Sequence, residues 1–525
     1  MRIKLGVRLL AISVIYTVFF IIWNGYVFGG GDQAEHLPML LKKWNPHLYV
    51  EDYYLKELST HRFNVRTHYI KLLNLLCNEE NLFYRCFLLN FLCIWLSIVG
   101  IMFWSKTRDS IVSCILAPFL VFFVFFKYWS IGDNLLAENS FVAGSLALPS
   151  GIWALALTRM NLFIPASIMV AIAGYFQFII GLHVLFIILI LFLFSFDLKL
   201  RLSRILYLLI IYFSFNLNQL SVIAGSMYDG ENLCEGLSYA NYFIKYRLKH
   251  HFLMSAFPIS HYIKFLSLVF LSFIFYLISN PDPFWRSWFM MVIVVCGSYF
   301  LYYISTEIFG FDFAFKSQWP KLSIFLSAGA SVYLSVFLSS RYDILFEKYY
   351  IKRSFYLLAI LIILIIGGIY RNPVLDLPWN KEFNARRKMH DFIRHQTPTD
   401  AVFIISPLND YFSFEAQRSL WIGYRAVWPD PDLACEWFIR FSTLFNIPFH
   451  SLKSKEKLLN KASEHFLSGN IKVNAVKKDN FFVLVESSDL LKKLMNSGVV
   501  FQKIYEVHPY ILVKVMGKDF EQIIH

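Results

Sequence analysis

Asp32, Glu35 and His36 follow directly on an apolar run, Leu9 to Phe28, whose only strongly polar member is Asn24. Gly29-Gly30-Gly31 separates the two, and Glu51 and Asp52 lie further along the same polar stretch. A carboxylate at the mouth of a helical bundle can take a proton from an attacking hydroxyl, and a partly dry site raises its pKa toward the useful range. Asp32 is the first candidate base, Glu35 a second, and His36 and Asp52 are candidate substrate-binding groups. The plain alternative is an acidic loop facing water. Gly132-Asp133-Asn134, followed by Glu138, repeats the Gly-Asp arrangement in another loop. If the two loops meet, Asp32 and Asp133 share one cavity and divide base from acceptor-orienting or metal-holding work, so a divalent ion is compatible with the pattern though no dedicated metal site is read. Gly-Asp-Asn is also a good turn in its own right.

Cations form the complementary set. Tyr246-Arg247-Leu248-Lys249-His250-His251 combines a bidentate fork with groups that add charge or a proton, which suits a lipid phosphate or diphosphate. Its alternative is a basic interfacial segment attracted to anionic head groups. Adjacent His250 and His251 lack the i, i+4 spacing of a helical zinc pair. Lys316 and Trp319 precede another apolar run, where they suit either a lipid head group or ordinary interface anchoring. Gln177 and His183 are polar groups expected near a membrane edge, lining a cavity or hydrogen-bonding between helices.

These residues must be held by membrane-spanning elements. The chain of 525 residues is 57% hydrophobic and 19% aromatic, with 55 Phe, more apolar surface than a soluble fold can hide. Runs of span length centre near 9–28, 86–104, 110–126, 141–157, 161–177, 180–196, 205–220, 262–279, 287–307, 321–338 and 354–370, so the expected fold is a membrane all-α bundle of about 11 transmembrane helices, residues 1–375. The first run is too long, and lacks the small-residue cleavage site, to be a removable signal peptide. Arg2, Lys4 and Arg8 before it predict a cytoplasmic N-terminus. Arg or Lys then recurs in every expected inner connection, at Lys106, Arg108, Arg159, Lys199, Arg201, Arg204, Arg286, Arg341, Lys348, Lys352 and Arg353. An odd span count leaves the C-terminal part outside. Two outer loops are long, near 29–84 and 218–261, and segments of that size are usually functional or membrane-lying.

The net charge of +13 comes with no recognisable nucleic-acid module, so nucleic acid is not an expected partner. Seven cysteines without CxxC or metal-ligand spacing argue against a disulfide framework. From residue 380 to 525 the composition becomes that of a small soluble α/β domain. Asn384 to His395 has helical periodicity and stops before Thr397-Pro398. Ala401–Ile405, Phe481–Val485 and Tyr510–Val515 read as strands, and Ser451–Phe466 as a surface helix. No Gly-rich nucleotide loop follows a strand.

In layout the chain resembles the GT-C superfamily of membrane glycosyltransferases, with Gly31-Asp32 and Gly132-Asp133 at the positions of that superfamily's loop acids. More closely, it is similar to an uncharacterised family of bacterial GT-C-like membrane proteins with an exported tail of unknown function. The stretches that carry this are Asp32–Pro38, Asn45–Asp52, Arg247–His251, Phe315-Lys316-Ser317, Asp391–Phe403, Gln417-Arg418-Ser419 and Tyr424–Val427. The chain departs from that pattern at Leu248-Lys249, where Pro is expected, and at Lys316, where Arg is expected. The resemblance implies a polyprenyl-phosphate sugar as donor and a lipid-linked or surface glycan as acceptor. It implies Asp32 as base, with Arg247, His250 and Lys316 stabilising the departing lipid phosphate. The expected location is the outer face of a bacterial inner membrane. The competing readings are an envelope polysaccharide polymerase or ligase, a transporter or flippase, and a scaffold that binds a partner through its tail. Transport predicts charged or broken mid-membrane helices and internal repeats, whereas the middles of the expected spans are nearly charge-free and no repeat is seen.

Overall fold

Long apolar helices dominate the computed structural model. It describes residues 2–60, 66–106, 112–127, 129–132, 135–194, 198–225, 249–349, 374–376, 385–424, 431–447, 458–473, 480–496 and 498–516. The expected span at 354–370 lies outside these. Five helical segments are long and apolar enough to cross a membrane: Val7–Asn24, Leu82–Ser105, Ile259–Leu277, Pro283–Ile308 and Ala314–Arg341. Shorter apolar helices cover Val112–Val124, Phe163–Phe176 and Phe178–Leu193. Such helices satisfy every backbone group internally, which is the condition for life in lipid. The chain is therefore a membrane-embedded, mainly helical protein with a small C-terminal sheet.

The residues fall into two compact units. The first comprises Met1–Val27, Asn81–Val222 and Leu248–Leu377. Within it the segment Ala314–Arg341 is central, 83% of its apolar window being enclosed, while Ile259–Leu277 is peripheral at 17% and turns Ile263, Leu266 and Phe270 outward. A stripe of serines on the central helix, Ser323, Ser327, Ser331, Ser335 and Ser339, is buried throughout. Small hydroxyls let neighbouring elements come close, and each finds a carbonyl. Ser323 and Ser327 donate to Ile131 and Trp129 carbonyls, both at 2.5 Å, and Ser331 donates to its own helix at 2.8 Å. The side chain of Trp288 lies against Gly329, where a Cβ would stand 1.9 Å from the ring. At one end of the bundle Arg159 pairs with Asp282 at 3.3 Å and sits 5.0 Å from the centroid of Trp285, while also donating to the Trp104 carbonyl.

The second unit comprises Phe28–Glu80, Ile223–Arg247 and Pro378–His525. The first long loop thus groups with the tail rather than with the helices that flank it in sequence. Its sheet has the order β2-β1-β3-β5-β4, with β1 Val402–Ile404, β2 Ser419–Leu420, β3 Phe481–Val485, β4 Phe501–Val507 and β5 Tyr510–Val515. β1 runs parallel to β2 and β3, and β5 antiparallel to β3 and β4. β1 and β3 are buried at every position, as their unbroken apolar sequences require of strands covered on both faces. The helix Ala385–Gln396 places Met389 and Ile393 on that core and ends before Thr397-Pro398, because the residue before proline is driven out of the helical region. Arg418, 3% exposed, then caps this helix. It donates to the Arg394 carbonyl at 2.5 Å, the Thr397 carbonyl at 2.7 Å, Thr397 Oγ1 at 3.1 Å and the Gln417 carbonyl at 3.0 Å. Cys435 is disulfide-bonded, while Cys77, Cys86, Cys93, Cys114 and Cys296 are free thiols.

Candidate functional site

The helix Gln33–Trp44 begins at Asp32, carries Glu35 in its first turn and ends on Lys42 and Lys43, the charge order that the helix dipole favours. Gly30 lies beneath the Tyr411 ring, and Phe28 meets Phe414 edge-on at 5.1 Å. Tyr49 donates to the Ser413 carbonyl at 2.6 Å, and Leu41, Leu48 and Leu55 bury with it. This packing seats the loop on the short helix Phe412–Ala416. Polar bonds extend the seam: Arg394 to Glu79 at 2.5 Å and Gln417 to Glu79 at 3.1 Å.

A cleft of about 650 Å³, counted with its open mouth, lies within this unit. Its polar walls are Glu35, Asp52, Tyr54, Ser406, Asn409 and Asp410, and its apolar walls include Phe441 and Phe445. Ser406 to Asp410 directly follow β1, and Ile422 to Tyr424 directly follow β2. The cleft therefore opens at the carboxyl ends of two parallel strands, the position where α/β folds bind ligands.

Glu35 and His36 occupy a buried polar cluster. Arg66 pairs with Glu35 at 2.8 Å and donates through Nε to His36 Nε2 at 3.2 Å, while Tyr54 donates to Glu35. Burial, reinforced by Arg66, pushes the His36 pKa down to about 3, so the ring is a neutral acceptor at ordinary pH. Asp52 is buried as well, and burial raises its pKa against the pull of two backbone donors, Leu55 at 3.0 Å and Leu420 at 3.1 Å. It is a helix cap whose second oxygen ties down β2, while its flank still lines the cleft. Asp32 is exposed at the N-terminus of its helix, makes no cap hydrogen bond and is not among the cleft residues.

In the helical unit, Gly132 takes φ +104°, and a Cβ there would stand 2.7 Å from the Lys321 backbone nitrogen. The glycine of the second Gly-Asp pair is thus fixed by close backbone approach; Asp133 and Asn134 lie outside the described residues. His183 Nε2 is 3.0 Å from the Ser317 carbonyl and its ring meets Trp319 at 5.8 Å, an interhelical contact. Lys316 ends the short helix Asp312–Lys316, and His251 sits half-buried in Lys249–Phe252. Arg247 and the His250 side chain lie outside the described residues. Among the described residues no group of three or more His, Cys, Asp or Glu is placed to hold a metal ion.

Three groups escaped the sequence reading. Arg440 lies between the rings of Tyr53 and Trp421, 4.4 Å from each centroid, and bonds Glu436 at 2.6 Å. Arg386 forks onto Glu415 at 3.0 and 3.2 Å, and His390, 1% exposed, meets the same carboxylate at 2.6 Å. Burial opposes ionisation of Glu415, but the His390 hydrogen bond and the Arg386 charge outweigh it and hold its pKa below the usual range. Third are Asn409 and Asp410, whose place after a buried strand is the one signal that points to them.

A family model described as a domain of unknown function (DUF6798) matches residues 385–444. That span holds Arg386, His390, Asn409, Glu415, Arg418 and Arg440. No curated protein matches the chain.

Proposed function

We propose that the protein is a GT-C-like glycosyltransferase that moves a sugar from a polyprenyl-phosphate donor to an envelope glycan on the outer face of a bacterial inner membrane. In this reading the bundle has about 11 spans, with a cytoplasmic N-terminus and the tail outside. What supports it is the cleft walled by Ala34, Glu35 and Pro38 of the helix that Asp32 opens: acids of the first loop and of the tail line one concave surface at the ends of parallel strands, beside that helix start. Asp32 accepts the proton of the acceptor hydroxyl, whose oxygen attacks the anomeric carbon. The bond from that carbon to the phosphate oxygen breaks, and its electrons leave with the lipid phosphate. Arg247, His250, His251 and Lys316 carry the charge that receives that phosphate, and Asp133 orients the acceptor. Glu35, ion-paired to Arg66, shapes the acceptor side rather than trading protons.

Asp32→Asn tests this cleanly, because Asp32 is exposed and caps nothing, so the variant should fold. Expressed to the wild-type membrane level, it should abolish the glycan modification seen with the wild-type chain. Unchanged modification removes the transferase reading and leaves a scaffold.

A further inference from the structure

The cleft is reached from behind by a chain of hydrogen bonds. Arg386 orients Glu415, and Glu415 Oε2 lies 2.6 Å from His390 Nδ1. An ionised carboxylate only accepts, so Nδ1 carries a proton toward Glu415, and in that tautomer Nε2 is the ring's acceptor. Nε2 faces the Asn409 side-chain nitrogen at 3.5 Å. The amide nitrogen is thus turned inward, and Asn409 Oδ1 is enclosed without a hydrogen-bond partner. A buried acceptor left unpaired is costly, and native structures keep few of them without a use.

The rest of the lining defines what would satisfy that oxygen. Among the described residues it holds three carboxylates, Glu35, Asp52 and Asp410, and no Lys, Arg or His. A phosphate or a uronate would find acceptors and no cation in that lining to receive it. Hydroxyl donors would meet acceptors, and the apolar face of a pyranose would meet Tyr424, Phe441 and Phe445.

We infer that this cleft is a binding site for a neutral, polyhydroxylated sugar, with Asn409 Oδ1 accepting a sugar hydroxyl and the Arg386–Glu415–His390 chain positioning it. The inference rests on the transferase reading and assigns the acceptor, not the lipid phosphate, to the cleft.

The test is binding to the full-length chain in lipid nanodiscs without any donor, followed by tryptophan fluorescence. The probes are maltotriose, cellotriose and mannotriose, with trigalacturonate and inorganic phosphate as charged controls. At least one neutral trisaccharide should bind saturably, with both controls about tenfold weaker or worse, the equivalent of one lost hydrogen bond to a buried partner. Asn409→Ala should weaken that binding about tenfold, and Asn409→Asp, which keeps an oxygen in place, should stay within about threefold. In a transfer assay Asn409→Ala should raise the acceptor KM and leave kcat unchanged. No binding by any neutral trisaccharide, or wild-type binding by Asn409→Ala, overturns the inference. Trisaccharide binding by a chain that modifies no glycan would sink the transferase reading and leave the sugar site standing.

Discussion

The carboxylate of Asp52 accepts the backbone N–H of Leu420 at 3.1 Å, 368 residues further along the chain. Its other oxygen accepts Leu55 N–H at 3.0 Å. Asp52→Ala strands both donors, each at about 1–3 kcal/mol, and should lower the unfolding temperature of the purified full chain by several degrees. Asp52→Asn keeps one acceptor and removes a charge that burial disfavours, so it should cost less than Asp52→Ala. Equal melting of Asp52→Ala and wild type would show that the tie carries no stability.

Arg418 should be equally intolerant. Four donated bonds end on the close of the Ala385–Gln396 helix and on the turn before β2. Arg418→Ala should cost roughly 2–5 kcal/mol by leaving buried carbonyls unpaired. Arg418→Lys should recover little, since an ammonium cannot reproduce the planar fork. Limited proteolysis of the tail reads the difference, and a lysine variant as resistant as wild type would contradict it.

Acid should loosen the first loop through His36. The unfolded ring takes up a proton below 6.5, whereas the buried one stays neutral until about pH 3. The unfolded state therefore binds more protons in that window. Stability from this site is complete above pH 6.5 and drains away as pH falls toward 3. Glu415 adds a second loss lower down: its folded pKa lies below 4.5, so its contribution is complete above 4.5 and is lost as pH falls through the folded value. Comparing melting at pH 7 and pH 5, His36→Gln should show a smaller drop than wild type. A parallel drop in both would place the acid sensitivity elsewhere.

Gly132→Ala should damage the helical unit. The position combines φ +104° with the Lys321 backbone 2.7 Å from where a Cβ would sit. A strained residue costs about 1–3 kcal/mol before any displacement of Lys321. The expected result is a lower yield of monodisperse protein in detergent, checked by size-exclusion chromatography. A normal elution profile at the wild-type yield would show that the loop tolerates the added carbon.

The sandwich of Arg440 between Tyr53 and Trp421 predicts a non-conservative lysine. Arg440→Lys keeps charge but loses stacking on both rings, about 1–2 kcal/mol together, and should shift Trp emission. Unaltered emission and melting would rule out a stacking role.

Apolar runs made the long helices legible, because segments such as Leu82–Ser105 and Ile259–Leu277 announce themselves by composition alone. β1, β3 and β5 were legible for a related reason: buried strands read as unbroken apolar stretches. β2 is two residues long and owes its place to Asp52 and β1, while β4 carries Gln502, Lys503 and Glu506 on exposed positions, so neither has a local signature. The grouping of the first loop with the tail could not be read, since it rests on pairs such as Glu79–Arg394 that no window contains. Glu35 and His36 stand out in the sequence as a candidate base and a candidate binding group, but their burial against Arg66 has no local signal: that partner is 30 positions beyond His36. Asn409 follows a buried parallel strand, and that place is the one signal a sequence offers for it.

The interleaving of the second unit sets a timetable for biosynthesis. Asp52 leaves the ribosome 368 residues before the amide it must meet. At about 5–20 residues per second that interval is roughly 20–75 s. Throughout it the loop has its own helices but not its docking surface, and Leu41, Leu48 and Leu55 are without the ring of Phe414 that completes their cluster. A nascent chain halted before residue 400 would consequently display a sticky, protease-sensitive loop. Quality-control factors that recognise exposed leucines would find their substrate near the N-terminus, although the missing part is at the other end.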